Sequence, residues 1–213
     1  MRKISILLLL VLPLFAAAQT TAPMGILVSQ KQGTIDWPTV HEQNDLDFVY
    51  VYVAQGATIV DQRCATNIQN ASQAGFPVGG VLKYDRHYSA QGQFDNYEAA
   101  VKGHNLSLAP VVYVVPDSPY DINVKRLDAL LQLFENKYHV KPIIMANQET
   151  YLKYFSLERY ASYHVIIVSN GLKFPSTRYS IWMYTDKEQV GGIMEYVPGL
   201  KLHPTYKIQN IKK

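Results

Sequence analysis

Short apolar, β-branched runs alternate with amphipathic stretches along most of this chain, and that alternation sets the expected architecture. Residues 24–29 (MGILVS), 48–54 (FVYVYVA), 77–84 (PVGGVLKY), 108–115 (LAPVVYVV) and 141–147 (KPIIMAN) are apolar enough to be strands buried on both faces, as in a parallel sheet. A helical pattern follows each run. Asp36 is placed to cap a helix to about Asn44, with Trp37 and Pro38 in its first turn. Residues 61–74 stop at Gly75, and residues 90–102 stop at Gly103, both natural C-terminal glycines. Residues 121–138 carry Ile122, Leu127, Leu130, Leu131 and Phe134 on helical spacing, with Asp121 as the expected cap. A short helix is expected over 148–155. Three further strands, 164–169, 179–185 and 194–202, then come with little helix between them.

Five βα units followed by three strands predict a single α/β domain with a parallel sheet and right-handed crossovers. Eight strands suffice to close a small barrel, and an open doubly wound sheet is the alternative. Residues 30–34 (QKQGT) do not form a Gly-rich phosphate loop after the first strand, so a nucleotide site is set aside. In a barrel of this kind, chemistry sits at the C-terminal ends of the strands. The central run, 108–115, brings Tyr113 and Val115 there rather than carboxylates.

The start of the chain changes the address. Met1-Arg2-Lys3, an apolar run from Ile4 to Phe15 and Ala16-Ala17-Ala18 before Gln19 read as a secretory signal peptide over residues 1–18, too short to span a bilayer. The remaining domain, 19–213, is expected to be exported to a bacterial periplasm or the extracellular space, with no membrane attachment after signal cleavage. Loss of Arg2 and Lys3 brings the net charge from +3 to +1, which gives no electrostatic case for nucleic acid. The lone Cys64 cannot form an internal disulfide and reads as a small buried hydrophobe. Six histidines show no ligand spacing, so no metal and no cofactor are expected. The sixteen tyrosines suit either a sugar-binding surface or buried rings with their hydroxyls at the rim.

Several segments then line up with a family. Gly25-Ile26-Leu27-Val28-Ser29-Gln30 followed by Gly33-Thr34-Ile35-Asp36-Trp37 resembles an opening GIDVSxxQGxIDW. Residues 47–50 through Gln55-Gly56 resemble the second strand, and Asp61, Asn67, Ala74-Gly75 and Val78-Gly79 the next helix and strand. Ser180-Ile181-Trp182-Met183-Tyr184-Thr185-Asp186 with Val190-Gly191-Gly192-Ile193 resembles a closing WQYTD…GI. The ordered set resembles glycoside hydrolase family 25, the Chalaropsis-type muramidases (lysozymes), and implies an irregular (βα)5β3, TIM-like barrel. Under that resemblance the family's acid positions fall on Leu27, Tyr113, Val115 and Pro198 (Gly199 with a one-residue slip), and its strand-two Lys and Glu on Tyr52 and Gln55. Strand three's Tyr-His becomes Leu82-Lys83. No aligned catalytic acid position carries a carboxylate.

Glycoside cleavage needs a proton donor on the leaving oxygen and negative charge or a nucleophile facing an oxocarbenium-like centre. Leu27, Val115 and Pro198 supply neither. Asp117 and Glu149 are the fallback acids, although Asp117 sits in a Pro-Asp-Ser-Pro turn where an Asx-turn role suffices. Expected ligand contacts are Tyr52, Lys83, Tyr113, Trp182 and Tyr184. Two functions remain open. One is a non-catalytic pseudoenzyme that binds peptidoglycan-type glycan, or a protein partner such as a cell-wall-degrading effector against which it gives immunity or acts as a decoy. The other is an active peptidoglycan glycosidase using shifted acids or the substrate's own acetamido group.

Overall fold

A computed structural model describes residues 22–116, 122–169 and 175–213. The signal peptide and Asp117 lie outside the described residues. Nine strands form one sheet: β1 Met24–Val28, β2 Phe48–Gln55, β3 Ile59–Val60, β4 Val78–Lys83, β5 Val111–Tyr113, β6 Ile143–Asn147, β7 Val165–Val168, β8 Ile181–Glu188 and β9 Val197–Leu202. The order β1-β9-β8-β7-β6-β5-β4-β2 closes on itself through a β1–β2 pairing, and β3 is a short appendage on β2. Seven barrel strands run parallel; β9 is antiparallel to both neighbours and closes the ring. This is the eight-stranded, mixed α/β barrel that the five βα units and three trailing strands predict.

The helices are α1 Trp37–Gln43, α2 Cys64–Gln73, α3 Ala90–Val101, α4 Val124–Tyr138 and α5 Gln148–Thr150, the last running into a π-turn over Tyr151–Phe155. Asp36 caps α1 through the Thr39 N–H, and Ser89 caps α3 through the Gly92 N–H. The helix α4 starts at Val124, three residues later than its pattern predicts. Asn123 adopts a left-handed conformation (φ 48°) and its side chain caps α4 by accepting from the Arg126 N–H; Asp121, the expected cap, lies outside the described residues. Its buried stripe is Leu127, Leu130, Leu131 and Phe134, as the spacing predicts.

Strand alternation divides the apolar residues into two cores. Ile26, Val28, Val49, Val51, Val53, Val112 and Ile144 point outward under the helices. Leu27, Phe48, Tyr50, Val111, Ile143, Met145, Ile166, Ile181 and Leu200 fill the barrel. The large rings fit because glycines face them. A Cβ on Gly25 would lie 2.5 Å from the Phe48 ring, and one on Gly79 would lie 2.2 Å from Tyr50.

Some strand boundaries move, each for a local reason. The expected strand 108–115 shortens to β5, because Pro110 has no N–H for the ladder. Leu108 and Ala109 pair instead with the C-terminal segment: Leu108 bridges Lys212, and the Ala109 N–H donates to the Ile211 carbonyl at 2.8 Å. With Tyr206, Ile208 and buried Ile211 against the interior core, this segment plugs the N-terminal end of the barrel. Residues 194–196 are not strand: Met194 is 96% exposed, and pairing begins at Val197 opposite Glu188. The antiparallel ladder with β9 carries β8 to Glu188, beyond its expected end. The hairpin strand β3, whose Ile59 and Val60 are both exposed, has no signal in the hydrophobic pattern.

Candidate functional site

With the N-terminal end plugged, the strands open at their C-terminal ends onto a cleft of 480 Å³. The end of β1 contributes Leu27 and Ser29, β2 contributes Tyr52, Ala54 and Gln55, and β4 contributes Lys83. Tyr113 and Val115 come from β5 and its extension, and Pro198 from the start of β9. One wall is the turn of residues 30–32; the other is β3 with Asp61. The cleft therefore gathers all four positions that the resemblance aligns with acids, Leu27, Tyr113, Val115 and Pro198. It also gathers three of the five expected ligand contacts, Tyr52, Lys83 and Tyr113.

The remaining expected residues lie elsewhere. Ile181 and Met183 point into the barrel, so alternation turns Trp182 and Tyr184 to the opposite side of β8. There the Trp182 indole N–H donates to the Ser169 carbonyl at 3.0 Å, and the Tyr184 hydroxyl donates to Glu188 at 2.7 Å. The Tyr184 ring lies over Gly199, where a Cβ would come within 2.6 Å of it. Glu149, exposed in the first turn of α5, is not among the lining residues. The two residues alternate as the sequence implies; the face they share is the wrong one for this cleft.

Asp61 is the carboxylate that sequence reasoning left as scaffold, and among the described residues it is the one acid lining the cleft. Its side chain is a brace. One oxygen accepts from the Gln30 N–H at 2.7 Å, the other from the Arg63 N–H at 2.9 Å. The same wall is locked by Gln32, whose Oε1 accepts from the Ser29 N–H (2.8 Å) and whose Nε2 donates to the Tyr196 carbonyl (2.8 Å). The Gln30 side chain accepts from the Gln62 N–H at 3.0 Å. These bonds tie the 30–32 turn to the chain after β3 and fix the cleft's width. The position of Asp61 straight after the β2–β3 hairpin is the only sequence signal for this role.

Tyr52 and Tyr113 face each other across the floor, ring centroids 6.4 Å apart. Burial raises both phenol pKa values, and for Tyr52 the neighbouring Tyr113 adds to the effect. Both hydroxyls therefore keep their protons at neutral pH and offer donors. Lys83 pairs in register with Gln55 on one side and Tyr113 on the other, at the open end of its strand. The cleft can thus bind polar ligands through lysine, tyrosine and amide donors above an apolar floor. Among the described residues no group of histidine, cysteine and carboxylate side chains could hold a metal ion.

An eight-stranded barrel of five βα units and three closing strands, open at one rim, is the architecture of lysozyme-type glycoside hydrolases. The family model for glycosyl hydrolases family 25 matches residues 26–193, and the chain belongs to that family. Among solved structures, the bacterial lysozyme from Streptomyces coelicolor superposes with a TM-score of 0.76 at 18% identity, covering 90% of this chain and 96% of that one. A family 25 glycosyl hydrolase from Bacillus anthracis gives 0.75 at 22% identity, covering 86% and 89%. The family 25 lysozyme from Aspergillus fumigatus gives 0.73 at 15% identity, covering 89% and 97%. At such identities the likeness establishes the fold. No curated protein matches the chain.

Proposed function

We propose that this is an exported muramidase-fold protein that binds peptidoglycan-type glycan in the rim cleft without family-type hydrolysis. The membership in a family of glycoside hydrolases supports the glycan. The observation that carries the rest is the state of the cleft's acid groups: both oxygens of Asp61, its one described carboxylate, are taken by backbone N–H groups. Leu27, Val115 and Pro198 beside it can neither protonate a leaving oxygen nor stabilise an oxocarbenium-like centre. A tyrosine nucleophile has precedent in sialidases, but burial holds the Tyr113 phenol protonated and no base among the described lining residues is free to activate it. A fold alone does not bring an activity when the site lacks the groups.

Export rests on the signal-like first 18 residues, and among the described residues no helix is long and apolar enough to cross a membrane. Hydrolysis through Asp117 is the competing reading, favoured by its position two residues after Val115, which lines the cleft. The test is incubation of the purified chain from Gln19 with peptidoglycan across pH, with mass analysis of soluble fragments and a pull-down on the insoluble polymer. Retention on the polymer with no new reducing ends is the expected result. Release of muropeptides that stops in an Asp117→Asn variant would overturn it. No retention at all would shift the reading to a protein partner, such as a wall-degrading effector.

A further inference from the structure

Among the described residues, Lys83 lines the cleft without a carboxylate paired to it. Tyr113 and Met145, in register with Lys83 across β5 and β6, pack against the barrel interior. Side chains in one cross-strand row share a face, so the Lys83 side chain enters the barrel mouth and lines the cleft; the residue as a whole is half-buried. Among the described residues its ammonium makes no hydrogen bond and no ion pair. Three acceptors of the cleft are engaged by its walls: Asp61, the Gln32 Oε1 and the Gln30 Oε1 all take backbone N–H groups. The lining brings two cations, Lys83 and Lys31, together with the phenols of Tyr52 and Tyr113 and the amide of Gln55. An ammonium without an anion forms a charge-assisted hydrogen bond with a ligand that supplies one. This is the reverse of the polarity that glycoside cleavage requires, where negative charge faces a developing cation.

We propose that the cleft selects acidic saccharides, holding a free ring-borne carboxylate on Lys83 with the Tyr52 and Tyr113 hydroxyls as neighbouring donors. The inference rests on the glycan-binding reading above and names the class of glycan. Two sources carry that chemistry: muramic acid whose lactyl carboxylate is free of peptide, and a uronate of an acidic polysaccharide. In peptide-bearing strands the lactyl carboxyl is an amide and offers Lys83 no charge, so peptide removal is the class of reaction that must precede binding of wall-derived ligand.

Calorimetric titration with three oligosaccharides of equal length tests this. They are an N-acetylglucosamine–N-acetylmuramic acid oligomer with free lactyl groups, a uronate oligomer and a neutral chitin oligomer. At least one acidic oligomer should bind about tenfold or more tighter than the chitin oligomer, the scale of one charge-assisted hydrogen bond. That preference should shrink as salt is raised. Lys83→Met should abolish the preference, so that acidic and neutral oligomers bind the folded variant alike, and Lys83→Arg should keep it. Which acidic oligomer binds identifies the source. Equal affinity for acidic and neutral oligomers, or a preference that survives in folded Lys83→Met, overturns the anion site and leaves the cleft a glycan site. Binding of none of the three by folded protein overturns both readings.

Discussion

The close fit of Tyr50 against Gly79 inside the barrel gives a sharp stability test. The two are register partners on β2 and β4. A methyl group on Gly79 would sit 2.2 Å from Tyr50 Cε1 and 3.0 Å from the Leu108 Cβ, where carbon contacts normally lie at about 3.5–4.0 Å. Neither neighbour can retreat freely. Tyr50 is fully buried, its hydroxyl donates to the Ala109 carbonyl at 3.3 Å, and Phe48 packs edge-on against it at 6.0 Å. Gly79→Ala should therefore cost about 3 kcal/mol, the upper end of the usual overpacking range. Tyr50→Leu alone should cost about 2–4 kcal/mol through the void it leaves. Combined, the smaller side chain makes room for the methyl, so the double variant should be at least about 1 kcal/mol more stable than the sum of the two losses predicts. Guanidinium unfolding followed by the fluorescence of buried Trp37 and Trp182 measures all four proteins. Additivity within about 0.5 kcal/mol would show that the ring and the glycine are not packed as described.

Three further outcomes follow from the site and its surroundings. Asp61→Ala removes the acceptor of two backbone N–H groups and should loosen the 30–32 wall, lowering glycan affinity severalfold with a stability loss of about 1 kcal/mol; affinity unchanged in binding assays would refute the bracing role. Trp182→Phe deletes the indole bond to Ser169 and should cost about 1 kcal/mol on denaturant unfolding while leaving glycan affinity intact; a large loss of affinity would put Trp182 at the ligand after all. The third concerns His164, whose ring lies 2.8 Å from the Ser180 hydroxyl and edge-on to Tyr206 of the C-terminal plug. Burial, and then the charge of Arg178, hold its pKa below the usual histidine value, partly offset by a backbone bond at Asn210. The unfolded chain then binds this proton more readily, so its contribution to stability is complete above about pH 6.5 and is lost as the pH falls toward the depressed folded value. His164→Gln should flatten the acid limb of stability between about pH 7 and 5, and an unchanged slope would exclude His164 as its source.

The barrel was legible because its signals are local and redundant. The parallel strands are largely buried on both faces and so read as apolar runs, and the first three helices each announce one end, with Asp36, Gly75 and Gly103. The errors fall where long-range pairing overrides a run. The 108–115 segment gives two residues to the C-terminal plug, a partner about a hundred positions away that no periodicity could reveal. Period two correctly put Trp182 and Tyr184 on one face, but which face depends on the ring's closure through β9. The brace made by Asp61 was invisible for a similar reason, since its partner Gln30 lies across the cleft on another strand's loop.

The polarity of the rim is separable from the barrel that displays it. Phe48, Tyr50, Val111, Ile143 and Ile181 seal the interior below the mouth, and none of them lines the cleft. Leu27, Tyr52, Lys83, Tyr113 and Pro198 stand one layer above, with one side toward that core and the other toward open space. A change among them alters what the mouth attracts while leaving the apolar layer beneath intact. This explains how the fold persists at 15–22% identity to the lysozyme-type structures. It also explains why the function must be argued from the rim alone. At that rim, Asp61 spends its oxygens on backbone N–H groups, while Lys83 has no ion-pair partner among the described residues. On the proposed reading, a surface so arranged holds an acidic sugar.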